Sequence, residues 1–238
     1  MNSFAMKRTA LIVVLALCAM AAAAQRLGGV AGYQLSWGFN STTSDVVNFG
    51  ATPGSGFLVG VLFDWDITNR WGIEAAATYN LRTTKYRLQL AEKQGLDTAN
   101  IFKRQLYFLN IPVHAYVNFP FKKWTLALYF GPSFNVGLHG KDIAWQDTEW
   151  QKPVMLEDDK IFGSKNEGRL YRFEIGAEIG LRFKYRNYSW SMGYHHGFNN
   201  LAKDDDFDWT LTLPANTKKR VTMGEFNVSF AYLFDLKR

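Results

Sequence analysis

The sequence predicts an all-β fold, an eight-stranded antiparallel up-and-down barrel that crosses a membrane. Apolar and polar residues alternate with a period of two through most of the chain, the mark of strands whose two faces meet different surroundings. Short and long connections alternate between these runs, as they do when an up-and-down barrel carries turns at one end and loops at the other. The apolar face is also too bulky for the interior of eight strands, which is only just wide enough for side chains to fill.

Taken in order, residues 1–24 read as a signal peptide and residues 25–238 as the barrel. Lys7 and Arg8 precede an apolar run from Ala10 to Met20, and Ala22-Ala23-Ala24 supplies small residues for cleavage before Gln25. The apolar stretch is shorter than the roughly 20 residues of a membrane-spanning helix. Cys18, the single cysteine, lies inside the signal, so the mature barrel has no disulfide. Once Lys7 and Arg8 leave with the signal, the excess of basic over acidic residues is too modest to imply a nucleic-acid partner. Aromatic residues form 16% of the chain, yet mean hydropathy is slightly negative. That combination suits neither a helical membrane protein nor a disordered chain.

The first two strands, Leu27 to Phe39 and Phe57 to Trp65, alternate with many glycines. The third sets Trp71, Ile73, Ala75, Ala77 and Tyr79 against Gly72, Glu74, Thr78 and Asn80. In the fourth, Tyr107, Leu109, Ile111 and Val113 oppose Asn110, His114 and Asn118, with Phe108 and Tyr116 breaking the pattern. The fifth sets Trp124, Leu126, Leu128, Phe130 and Phe134 against Thr125, Gly131, Ser133 and Asn135. The sixth is the clearest: Tyr171 to Tyr185 on one face, Arg172, Glu174, Gly176, Glu178, Gly180, Arg182 and Lys184 on the other. The seventh and eighth continue with Tyr188, Trp190, Met192 and Tyr194, then Phe226, Val228, Phe230, Tyr232 and Phe234. Turns are predicted near Asp66–Asn69, Phe119–Lys122 and Tyr185–Asn187. Long loops are predicted over Asn40–Ser55, Arg82–Lys103, His139–Gly168 and Asn199–Arg220.

A soluble lipocalin-like barrel would turn the apolar face inward, which the size of its aromatics opposes. Glycines among charges instead suit a narrow, hydrogen-bonded lumen. Lipid tolerates only a closed sheet, so the eighth strand should pair with the first. Pro112 and Pro132 lack the ladder's donor and fall roughly opposite one another, which predicts a bulge or loosening there.

The runs Leu109-Asn110-Ile111-Pro112-Val113 and Tyr129-Phe130-Gly131-Pro132 resemble the PorT-like family of small outer-membrane β-barrels. So do Phe173-Glu174-Ile175-Gly176-Ala177 and Gly193-Tyr194-His195-His196-Gly197. The resemblance spans Leu27 to Leu236 and implies an outer-membrane location; the family's namesake is tied to protein secretion.

Candidate sites follow from the two faces. Asp64, Glu74, Arg172, Glu174, Glu178, Arg182 and Lys184 fall on the lumen face, where they predict a charge network that plugs the barrel. Trp145 and Trp150, in the third long loop, are candidates for partner binding. His114 and His195 face inward, but no nucleophile stands beside a base at a recognisable spacing, so no enzyme is predicted. No metal pattern appears, Asp204-Asp205-Asp206 with Asp208 lacks the spacing of a calcium loop, and no cofactor is expected. The expected partners are outer-membrane lipid, the assembly machinery during insertion, and an extracellular or secretion partner. The expected role is binding, adhesion or envelope integrity through the loops, with a small pore or a secretion accessory as the alternative.

Overall fold

The computed structural model describes residues 25–42, 47–90, 100–145, 161–162, 170–201 and 219–236. They form eight strands: β1 (Arg26–Thr42), β2 (Val47–Asp66), β3 (Trp71–Leu90), β4 (Asn100–Pro120), β5 (Thr125–Trp145), β6 (Phe173–Tyr185), β7 (Tyr188–Gly197) and β8 (Lys219–Asp235). Each strand pairs with the next, and β8 pairs antiparallel with β1 from Arg26 opposite Asp235 to Thr42 opposite Lys219, which closes the barrel. No sheet edge is left to expose unpaired backbone groups to hydrocarbon.

The outer wall is apolar. Phe130 is 59% exposed, Trp71 55% and Ile179 49%, and they belong to a belt that includes Phe57, Val59, Leu128, Met192, Val228 and Phe230. So much contiguous apolar surface has no place in water and belongs against acyl chains. Towards the turns the belt ends in aromatics: Trp124 stacks on Phe121 and Phe183, and Trp190 packs against Phe230. Near the loops Tyr107 stacks on His139, which meets the Tyr79 hydroxyl at 3.1 Å. Two aromatic girdles flank the apolar band, the usual dress of a membrane barrel.

Three sequence expectations need correction. The strands run beyond the predicted loop boundaries: β3 continues to Leu90, β4 begins at Asn100, and β5 continues to Trp145. In β3 the polar run Arg82-Thr83-Thr84-Lys85 breaks the alternation although backbone pairing continues through it. Phe108 and Tyr116 are in step with their strand and point inward, both fully buried. At the prolines the expected loosening is present, without a register shift. Pro112 faces Ser133, and pairing is interrupted between Pro112 opposite Ser133 and Ala115 opposite Phe130, where Pro132 has no N–H to give. The bulge on this pair lies between Tyr107 and Phe108, and another shifts β2 on β3 between Pro53 and Phe57. Lastly, the lumen is not polar all round. Val30, Leu58, Leu62, Ala76, Ala231 and Leu233 form an apolar flank contributed by β1, β2, β3 and β8.

Candidate functional site

The chemistry of the described residues is concentrated inside the barrel, in three layers that rise from the turn end to the loop end. At the turn end Asp64 and Asp66 face two cations. The Arg26 guanidinium lies 2.9 Å from Asp64 and 2.5 Å from Asp66. Lys184 Nζ donates to Asp64 at 3.2 Å and sits 3.9 Å over the Tyr116 ring. The Tyr116 hydroxyl donates to both carboxylates, at 2.5 and 2.7 Å, which explains why a tyrosine stands on the polar face of β4.

In the middle layer Glu74 pairs with Arg182 and with His114 Nδ1 at 3.2 Å. His114 Nε2 lies 3.5 Å from Glu178. Glu178 accepts bonds from the Tyr129 hydroxyl at 3.2 Å and from Asn227 at 3.1 Å. A methyl group on Gly180 or Gly193 would strike the Tyr129 phenol, so these glycines leave the space the ring fills.

In the upper layer Arg82 donates to both oxygens of Glu174, at 3.1 and 2.9 Å, and lies 2.6 Å from Glu225 and 3.1 Å from Asn135 Oδ1. His195 stands 3.5 Å from Glu174 and 4.0 Å from Glu225. The middle and upper layers thus share one composition: an arginine and a histidine against two glutamates. Removed from water, such charges hold only because each has a partner of opposite sign and further hydrogen bonds.

Above the charges sits an apolar plug of Leu106, Phe108, Ile161, Phe162, Leu170, Leu201 and Met223, all buried. Phe108 joins the two zones, since Arg82 lies 4.7 Å over its ring while its edge meets Phe162. Gly137 makes the seat for Phe162, whose ring occupies the space of any side chain there. Backbone bonds from Leu170 to Ile161 and from Tyr171 to Leu201, 2.9 and 2.8 Å, hold the plug segments together, and one from Leu201 to Val221, 2.9 Å, ties them to β8.

Of the residues singled out from the sequence, Asp64, Glu74, Glu174, Glu178, Arg182 and Lys184 meet in the lumen. Arg172 does not. It precedes β6 at the rim, where its guanidinium holds the carbonyl of Phe162 and lies 3.4 Å from those of Gly137 and Leu138, a latch on the plug. Trp145 ends β5 in register with Ile101. Trp150, the segment 1–24 predicted as a signal peptide, and the acidic run at 204–208 lie outside the described residues. Sequence reading missed Arg82, because it fell in a predicted loop, and Tyr129. Both carry the parity of their strands, two residues beyond Asn80 and two before Gly131, and that signal was available.

A cavity of about 50 Å³ lies between the middle layer and the apolar flank. A wider recess of about 500 Å³ opens at the turn end, beside Arg26 and Lys184.

A closed eight-stranded cylinder with a greasy exterior and a charge-filled core defines a membrane β-barrel. Residues 9–234 match the family described as outer membrane protein beta-barrel domain, and the chain belongs to that family. No curated protein matches it by sequence. Among solved structures it is similar to Ail, the attachment invasion locus protein of Yersinia pestis (13% identity over 89% of this chain and 99% of that one, TM-score 0.39). It is similar also to Neisserial surface protein A (15%, 87% and 97%, TM-score 0.40) and to the outer membrane enzyme PagL (12%, 84% and 98%, TM-score 0.38). Values this low carry nothing about activity.

Proposed function

We propose that this outer-membrane barrel is a non-enzymatic protein with a sealed lumen, acting through its long extracellular loops in binding, adhesion or envelope integrity. The supporting observation is that two unlike barriers stand in series: the Arg82–Glu174–Glu225 cluster, and the apolar plug on top of it. An interior built this way serves as a rigid post, and function on such scaffolds resides in loops. His114 and His195 each sit between two glutamates within the cylinder, out of reach of an extracellular lipid headgroup, which supports the non-enzymatic reading.

The PorT-like kinship and the signal peptide belong to the same proposal. The kinship rests on the Pro112 and Pro132 motifs, the signal on its charged and apolar regions. N-terminal sequencing of the membrane-extracted protein should begin at Gln25.

The principal test pairs planar-bilayer recording with loop replacement. The protein should give no steady conductance, and replacing one long loop by a short Gly-Ser link should abolish cell or matrix binding while heat-modifiability on gels is kept. Reproducible openings, or binding indifferent to every loop replacement, would overturn the proposal. So would altered lipid A in a host expressing the protein. Loss of protein export on deletion, with binding intact, would favour the secretion accessory instead.

A further inference from the structure

The turn-end recess is basic beyond what the lumen requires. Beneath it, Arg26 and Lys184 are matched by Asp64 and Asp66, so that layer is complete. The rim adds three more cations to the lining: Lys122 and Lys123 from the β4–β5 turn, and Arg186 from the β6–β7 turn. All three are exposed. A further carboxylate, Asp235, stands in register with Arg26 on the β1–β8 pair and does not line the recess.

Arg186 is the telling residue. Its φ is 52°, in the left-handed region, and it is the first central residue of a two-residue hairpin turn. Glycine is the residue such a position favours, and any other side chain there is strained. The chain keeps an arginine at this strained place, with its side chain lining a recess that already presents two lysines. Planar guanidinium beside ammonium groups is chemistry suited to the oxygens of a phosphate. The stacked Phe121 and Trp124, 4.0 Å between centroids, stand on the lysines' own turn and continue into the lipid-facing girdle. The site therefore lies at headgroup depth.

We infer that the turn-end recess is a phosphate-binding site, formed by Lys122, Lys123 and Arg186 over the Arg26–Lys184 floor. A phospholipid headgroup and a free phosphate compound share this chemistry, and the test separates them. The full-length protein in uncharged detergent is titrated with inorganic pyrophosphate, followed by calorimetry. In parallel, its association with short-chain phosphatidylglycerol is read by phosphorus NMR line width. The comparison variant carries Lys122→Gln, Lys123→Gln and Arg186→Gly. The glycine suits the turn, so the variant folds, as its gel mobility will show.

Binding should weaken about tenfold or more in the variant, the equivalent of losing one charge-assisted bond. A response to phosphatidylglycerol alone assigns the site to lipid, and a response to pyrophosphate assigns it to soluble phosphates as well. Binding that is absent in the parent protein, or equal in the folded variant, overturns the inference.

Discussion

Replacing Arg82 by alanine removes the cation shared by Glu174 and Glu225. Both carboxylates are fully buried and meet the same guanidinium at 2.9 and 2.6 Å. Without it they face each other across a low-dielectric interior with His195 alone between them. Breaking a buried pair on one side costs roughly 3–5 kcal/mol, and losing the contact with the Phe108 ring adds about 0.5–2 kcal/mol. The unfolding constant should therefore rise by about two to five decades. Urea titration of the protein in lipid vesicles, with the folded fraction read by heat-modifiable gel mobility, measures the difference directly. The companion variant Arg82→Met with Glu174→Gln and Glu225→Gln tests the cause, because removing all the charges together is close to neutral for such clusters. A single variant within about 1 kcal/mol of the parent, or a triple variant no better than the single one, would refute the claim that charge pairing holds the upper lumen.

The two barriers should act independently in planar bilayers: Phe162→Ser with Ile161→Ser stays silent, because the charge layer below remains. Adding Arg82→Ser and Glu174→Ser should also stay silent, because the Glu74–Arg182–Glu178 layer and the Asp64–Lys184 layer still fill the lumen below, and openings from the plug variant alone would contradict the series arrangement. Gly193→Ala should cost about 1–3 kcal/mol by overpacking against Tyr129, and Tyr129→Phe should recover part of it in a double-mutant cycle by urea titration. Phe130→Arg, in the middle of the lipid-facing wall, should cost roughly 2–4 kcal/mol, while Trp71→Arg near the turns should cost about 0–1 kcal/mol. Equal costs at the two positions would argue against the assigned membrane depth.

The fold was legible because its cause is local. Wherever lipid meets one side of a strand and the packed lumen the other, parity alone assigns each residue, as from Phe173 to Tyr185. Legibility failed where one of these conditions lapsed. In β3 the polar run Arg82-Thr83-Thr84-Lys85 breaks the alternation although the strand continues, so a central lumen residue looked like the start of a loop. Phe108 and Tyr116 looked like errors of pattern because an aromatic carries no sign of what it will meet. One caps the charge layer under a plug supplied from distant sequence, and the other is a hydroxyl donor to Asp64 and Asp66. Arg172 had the right parity but stood one residue before β6, outside the cylinder. Parity orders residues across a wall, whereas depth along it depends on where pairing stops. That information lies in the partner strand.

The same division of forces sets which loops the barrel needs. The wall is satisfied by lipid and the lumen by its own ion pairs, so a connection matters for folding only if it supplies plug residues. Leu88 pairs with Asn100, so the ends of β3 and β4 are already adjacent, and a hairpin of two to five residues can replace 91–99. That variant should insert and resist urea like the parent. Replacing 161–170 is different. It removes Ile161, Phe162 and Leu170 and uncovers Leu106, Phe108 and Met223. Re-exposing three such side chains costs at most about 1.5–3 kcal/mol each, and less where lipid or neighbouring loops cover them again. The three charge layers remain, so this barrel should still close and shift in gel mobility, but melt earlier in urea. A barrel that tolerates loss of 161–170 but fails without 91–99 would show that the long loops, and not the lumen, hold it together.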